Sequence, residues 1–76
     1  MLSSWSYVAV TTNGTAIQAL RKTQNLSLRE VGRRARMDPS HLWRIERGLK
    51  GASADTTTRI AAALAVPRAA ITREEV

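Results

Sequence analysis

Seventy-six residues without a cysteine form one domain, near the lower size at which burial alone stabilises a chain, and exclude disulfides and thiolate metal sites. No apolar run is long enough to span a bilayer, and the start MLSSWSYVAV lacks the basic n-region and long apolar stretch of a signal peptide, so a cytoplasmic location is expected. The formal net charge of +6 suits a polyanionic partner, nucleic acid before an anionic membrane, unless it only solvates a helix face.

In chain order, residues 1–13 read as an N-terminal arm. In WSYVAVTT, Trp5, Tyr7 and Ala9 alternate with Ser6, Val8 and Val10, a strand-like period. A lone strand is unstable in water, so this segment pairs with something, packs on the helices or stays a loose arm. The domain itself is expected over 14–72, with 73–76 as a tail. A first helix fits Thr15 to Gln24, with Ile17 and Leu20 inward and Asn25 as its stop.

Two helix starts follow from local chemistry. In LSLREV, Ser27 is placed to accept the N–H of Glu30 while the Glu30 side chain reaches back to the Ser27 N–H, a capping box; Leu26 and Val31 form its hydrophobic staple. In MDPSHL, Asp38 is the N-cap, Pro39 the first helical residue, and Met37 and Leu42 the staple. These signals predict a helix over Leu28–Ala35, a tight turn at Arg36-Met37, and a second helix from Pro39 to Arg47 closed by a left-handed Gly48. A fourth helix begins after Ser53 and places Ile60, Ala61 and Leu64 at helical spacing, and Pro67 opens a short fifth through Ala70 and Ile71. The expected core is Ile17, Leu20, Leu26, Val31, Ala35, Met37, Leu42, Ile45, Ile60, Ala61, Leu64, Val66 and Ile71.

LSLREVGRRARMDPSHLWRIERG, followed by SADTTTRIAAALAVP, resembles the helix-turn-helix DNA-binding domain of the phage Cro/repressor (XRE) family. The similarity runs from Ile17 to Pro67 and includes R-I-E-R-G at the end of the recognition helix and R-I-A-x-A-L-x-V-P further on. It implies an all-α, five-helix, lambda-repressor-like domain, here preceded by a short arm or strand. Helices two and three would form the helix-turn-helix, with helix three in the major groove, and dimers would bind two-fold operators. The resemblance also implies a buried salt bridge between Arg21 and Glu46. The chain departs from the family at four places: Arg36 stands where glycine is usual in the turn, Leu28 where a phosphate-binding glutamine is frequent, Ala52 for a proline and Thr57 for a core leucine.

On that reading, Pro39, Ser40, Trp43 and Arg44 share one face of helix three. Pro39 can pack on a thymine methyl, and Ser40 can donate or accept. Arg44 is the strongest base reader, because its guanidinium fork fits the two acceptors of a guanine edge; the alternative is a phosphate contact. His41 can meet a base edge or remain a surface imidazole, and as the single histidine of a cysteine-free chain it has no partners for a zinc site. Trp43 is expected against the arm or a partner subunit in preference to DNA. Ser27, the Leu28 N–H, Arg29, Arg36, Arg47 and Lys50 are placed to grip phosphates.

Other classes find less support. G-L-K-G at 48–51 has the form of the KH-domain RNA clamp without its mixed helix-and-sheet setting. No nucleophile–histidine pair, carboxylate cluster or phosphate-binding glycine loop suggests an enzyme, and no cofactor is implied. The expected function is a sequence-specific regulator binding double-stranded DNA, a Cro-like homodimeric repressor acting by promoter occlusion. The alternatives are an antitoxin-type autoregulator, or a protein-interaction module whose partner docks on Trp5 and Tyr7.

Overall fold

The computed structural model describes residues 9–75, and the side chains of 10–74. Trp5 and Tyr7, with the partner surface expected on them, lie outside the described residues. The element order is β1 (Ala9–Thr12), α1 (Gly14–Thr23), α2 (Leu28–Ala35), α3 (Pro39–Glu46), α4 (Ala54–Ala63), a 3-10 turn (Arg68–Ile71) and β2 (Thr72–Glu75).

Side-chain caps start all four α-helices. Asn13 accepts from the Ala16 N–H at 3.1 Å, Ser27 from Glu30 at 2.9 Å, Asp38 from Ser40 at 2.8 Å and Ser53 from Thr56 at 3.1 Å. Each thereby satisfies one of the orphan donors of a first turn. The second half of the expected capping box does not form. The Glu30 carboxylate turns outward to Arg33 and Arg34, which bind it in preference to the Ser27 N–H because two guanidinium groups one turn away outcompete one neutral donor.

The four helices also end alike, in a left-handed residue followed by a 6→1 hydrogen bond. The left-handed residues are Asn25 (φ 56°), Arg36 (φ 57°), Gly48 (φ 74°) and Ala65 (φ 58°). The returning N–H groups are Leu26 to Arg21, Met37 to Gly32, Leu49 to Arg44 and Val66 to Ala61, all at 2.9–3.0 Å. Leu26, Met37 and Val66 then drop onto the core, whereas Leu49 stays 69 % exposed.

Ile17, Val31, Ala35, Leu42, Ile45, Ile60, Ala61, Ala63, Leu64 and Ile71 are buried, and Leu20, Leu26, Leu28, Met37, Ala52 and Val66 pack around them. Every residue expected in the core belongs to one of these two sets. Thr57, at a position where leucine is usual, is also buried, and its hydroxyl meets that of Thr12 at 3.4 Å. The strand therefore supplies the polar partner that a buried hydroxyl requires.

The C-terminal end differs from the five-helix expectation. Pro67 opens a single 3-10 turn in place of a fifth α-helix, and the residues after it form β2 in place of a tail. Arg68, Ala69 and Ala70 are exposed, so only Ile71 anchors this segment, and one apolar contact does not support an amphipathic α-helix. β2 pairs antiparallel with β1 in the register Ala9–Glu75, Val10–Glu74, Thr11–Arg73 and Thr12–Thr72, extended by the Asn13 N–H to Ile71 O at 2.8 Å. The described residues thus form a mostly helical domain of four α-helices and a two-stranded sheet.

Candidate nucleic-acid interface

α2, the turn at Arg36-Met37 and α3 place one helix on the surface and fix it from three sides. The first fixing is the start of α1 against the end of α3. A Cβ on Gly14 would fall on Ile45 O and lie 2.7 Å from Glu46 O, so only glycine permits this approach. The second is ionic. Arg21 donates from Nε to Glu46 Oε2 at 2.7 Å and from Nη2 to Oε1 at 3.0 Å, while its Nη1 holds Leu26 O at 3.0 Å. The two side chains are 11 % and 0 % exposed, and the hydrogen bond to Glu46 raises the Arg21 pKa further above its ordinary value. The third is Arg59 of α4, whose Nη1 donates to Ala35 O at 3.1 Å and Arg36 O at 3.0 Å, pinning the turn.

α3 turns Leu42, Ile45 and Glu46 inward and leaves Pro39, Ser40, Trp43 and Arg44 exposed, with Arg47 continuing the exposed face beyond the helix end. Residues 40, 43, 44 and 47 follow the i, i+3, i+4, i+7 spacing of one helical stripe. The Asp38 cap shapes its first turn. Its Oδ1 accepts both the Ser40 hydroxyl at 2.5 Å and the Ser40 N–H at 2.8 Å, which hold the carboxyl below the usual range. The hydroxyl hydrogen of Ser40 is therefore engaged, and its oxygen is left to accept. His41 stands at the edge of the stripe, half-buried, with Nε2 turned inside and without a hydrogen-bond partner among the described residues.

The ion pairs sort the basic residues into two groups. Arg21 is bound to Glu46, Arg33 and Arg34 to Glu30, and Arg59 to Asp55 at 3.2 Å. Lys22, Arg29, Arg36, Arg44, Arg47, Lys50 and Arg68 are exposed and form no ion pair among the described residues, and five of them, Arg29, Arg36, Arg44, Arg47 and Lys50, lie on or beside α2 and α3. Those five surround α3: one in the first turn of α2, one at the turn, two along the stripe and one in the loop that follows. The guanidinium of Arg47 lies over the Trp43 ring, 5.1 Å from its centroid. Ser27 is exposed, and the first-turn N–H groups of Leu28 and Arg29 have no intrahelical carbonyl to bond. The Leu28 side chain is half-buried against the core, so the backbone N–H is the polar group it offers there.

Sequence reasoning missed Gly14 and Arg59. A glycine shows its role only when a second backbone crosses it. For Arg59 the i, i+4 spacing to Asp55 was visible, but its reach to the α2 carbonyls was not.

The chain matches the helix-turn-helix domain family over residues 14–73. Several solved structures share its fold. The restriction-modification controller protein C.AhdI from Aeromonas hydrophila superposes with a TM-score of 0.73 at 24 % identity, covering 75 % of this chain and 86 % of that one. The clp gene regulator ClgR from C. glutamicum gives 0.70 at 30 % identity, covering 74 % and 73 %. Comparison with curated proteins gives no match. The chain belongs to the helix-turn-helix family and is of the XRE type that the sequence resembles. Among the described residues no helix is long and apolar enough to cross a membrane.

Proposed function

We propose that this chain is a sequence-specific regulator of transcription that binds double-stranded DNA, a Cro-like repressor acting as a homodimer by promoter occlusion. The observation that carries this reading is the set of five exposed cations, in no ion pair among the described residues, around a helix whose outward stripe is rigidly supported. The similar structures are, by their titles, a controller protein and a gene regulator, and the regulatory role is extended from them to this chain. Arg44 reads a guanine edge, worth about 1–3 kcal/mol of discrimination per bidentate contact. Pro39, Ser40 as an acceptor, and the edge of His41 complete the base-facing set. Ser27, the Leu28 N–H, Arg29, Arg36, Arg47 and Lys50 hold phosphates and set the register. No chemistry is needed: a dimer seated on a promoter excludes polymerase.

The test compares two substitutions on matched and scrambled duplexes over a salt series. Arg44→Ala is expected to relax sequence preference, while Lys50→Ala weakens all duplexes alike and lowers the salt slope by about 1. Equal losses on every duplex for Arg44→Ala would move that residue to the phosphate set.

A further inference from the structure

Trp43 has no assigned work in a helix that only needs to bind phosphates and a guanine. It is 41 % exposed, on the same stripe as Ser40, Arg44 and Arg47. A tryptophan can serve a small core by being buried, and this one is instead turned outward beside two cations. Its indole N–H makes no hydrogen bond among the described residues, and one face of the ring is covered by the Arg47 guanidinium at 5.1 Å. The 41 % exposure leaves part of the ring open to solvent on the same side of α3 as Ser40 and Arg44.

We infer that Trp43 reads a 5-methylpyrimidine in the major groove, packing its indole on the C5-methyl group, with Arg47 as the positioning residue that fixes the ring. The inference rests on the proposed DNA binding through α3. The major groove presents one apolar group, the methyl at C5 of thymine, and 5-methylcytosine places the same group at the same position. A rigid, flat apolar surface held by a cation–π contact loses little conformational freedom when it meets such a methyl. The electrostatics of the stripe disfavour the other natural occupant, a second copy of this chain. A two-fold contact through this face would bring Arg44 and Arg47 of each copy toward those of the other, whereas a polyanion satisfies them.

The experiment uses the full chain and a duplex selected by it from a random pool. Dissociation constants are measured for the wild type and Trp43→Ala on that duplex, on versions with each thymine replaced in turn by deoxyuridine, and on versions with each cytosine replaced by 5-methylcytosine. Burying one methyl corresponds to about four-fold in Kd. The expected result is one position per half-site at which deoxyuridine weakens the wild type about four-fold and leaves Trp43→Ala unchanged, which identifies thymine. A gain of the same size at one cytosine, abolished in Trp43→Ala, identifies 5-methylcytosine and equally supports the inference. Arg47→Met is expected to shrink the same methyl effect, which loss of a phosphate contact alone does not do. Identical responses of the wild type and Trp43→Ala to every methyl change would overturn the inference while leaving DNA binding intact. A dimer-to-monomer shift of Trp43→Ala in sedimentation, with methyl responses unchanged, would assign the ring to a protein interface and overturn it as well. Failure of the wild type to bind any duplex would instead remove the underlying reading.

Discussion

Replacing Arg21 by methionine keeps the aliphatic stem and deletes the guanidinium, stranding a carboxylate whose side chain is 0 % exposed. Both oxygens of Glu46 lose their donors, and Leu26 O, next to the end of α1, loses a third bond. Breaking a buried pair by removing one member costs about 3–5 kcal/mol, well above the net worth of the pair. A chain of this length has roughly 4–11 kcal/mol of stability in total, so the loss takes between about a quarter of it and all of it. The melting temperature should fall by about 12–40 °C, since each kcal/mol moves a domain of this size by about 4–8 °C. Thermal unfolding followed by far-ultraviolet circular dichroism reads this directly. The double variant Arg21→Met/Glu46→Leu should recover most of the loss, because no buried charge remains unpaired. A melting temperature for Arg21→Met within 3 °C of the wild type would refute the reasoning and show that water reaches Glu46 in solution.

Gly14→Ala drives a methyl group into the Ile45 and Glu46 carbonyls, and overpacking of this kind is expected to cost about 2 kcal/mol or more, read as a lower urea midpoint; an unchanged midpoint would mean that α1 and α3 do not approach this closely. Arg36→Gly relieves a left-handed arginine at φ 57° and should stabilise the fold by about 1 kcal/mol while lowering the salt slope of DNA binding, so a destabilised variant would contradict the turn geometry. Arg33 first, then Arg34, holds the Glu30 pKa at about 2, and Ser40 holds Asp38 below its ordinary value. Both carboxyl groups are depressed in the folded state, so their contribution is present above the unfolded values near 4 and is lost as pH falls through the folded ones. Melting temperature should therefore decline between about pH 4.5 and 2, less steeply in Glu30→Gln, and equal profiles for the two proteins would contradict the pairing.

How much of this could be read from the residues depends on the range of the interaction. Ser27 and Asp38 announce helix starts because the donor and acceptor lie two or three residues apart, and α2 begins and ends where those signals place it. The Glu30 side chain was misassigned for a reason equally local: three partners lie within one turn of it, and spacing alone does not rank two arginines against a backbone N–H. Pro67 marks the start of a turn without distinguishing a 3-10 turn from an α-helix, and β2 follows from pairing with a strand sixty residues earlier, which its own TREE composition does not suggest. The Arg21–Glu46 pair came with the family resemblance, since nothing in a 25-residue separation brings the two together. The outward stripe was visible at Pro39, Ser40, Trp43 and Arg44. The half-burial of His41 and the stacking of Arg47 on Trp43 were not, because they depend on how the helix is rotated against its neighbours.

Selection of bound duplexes from a random DNA pool at near-physiological salt tests the central claim most directly. The account predicts an inverted repeat whose half-sites lie about one helical turn (~34 Å) apart, each with a guanine for Arg44. A pool that stays random in sequence while binding remains salt-sensitive would contradict it, leaving five cations that hold phosphates and read nothing.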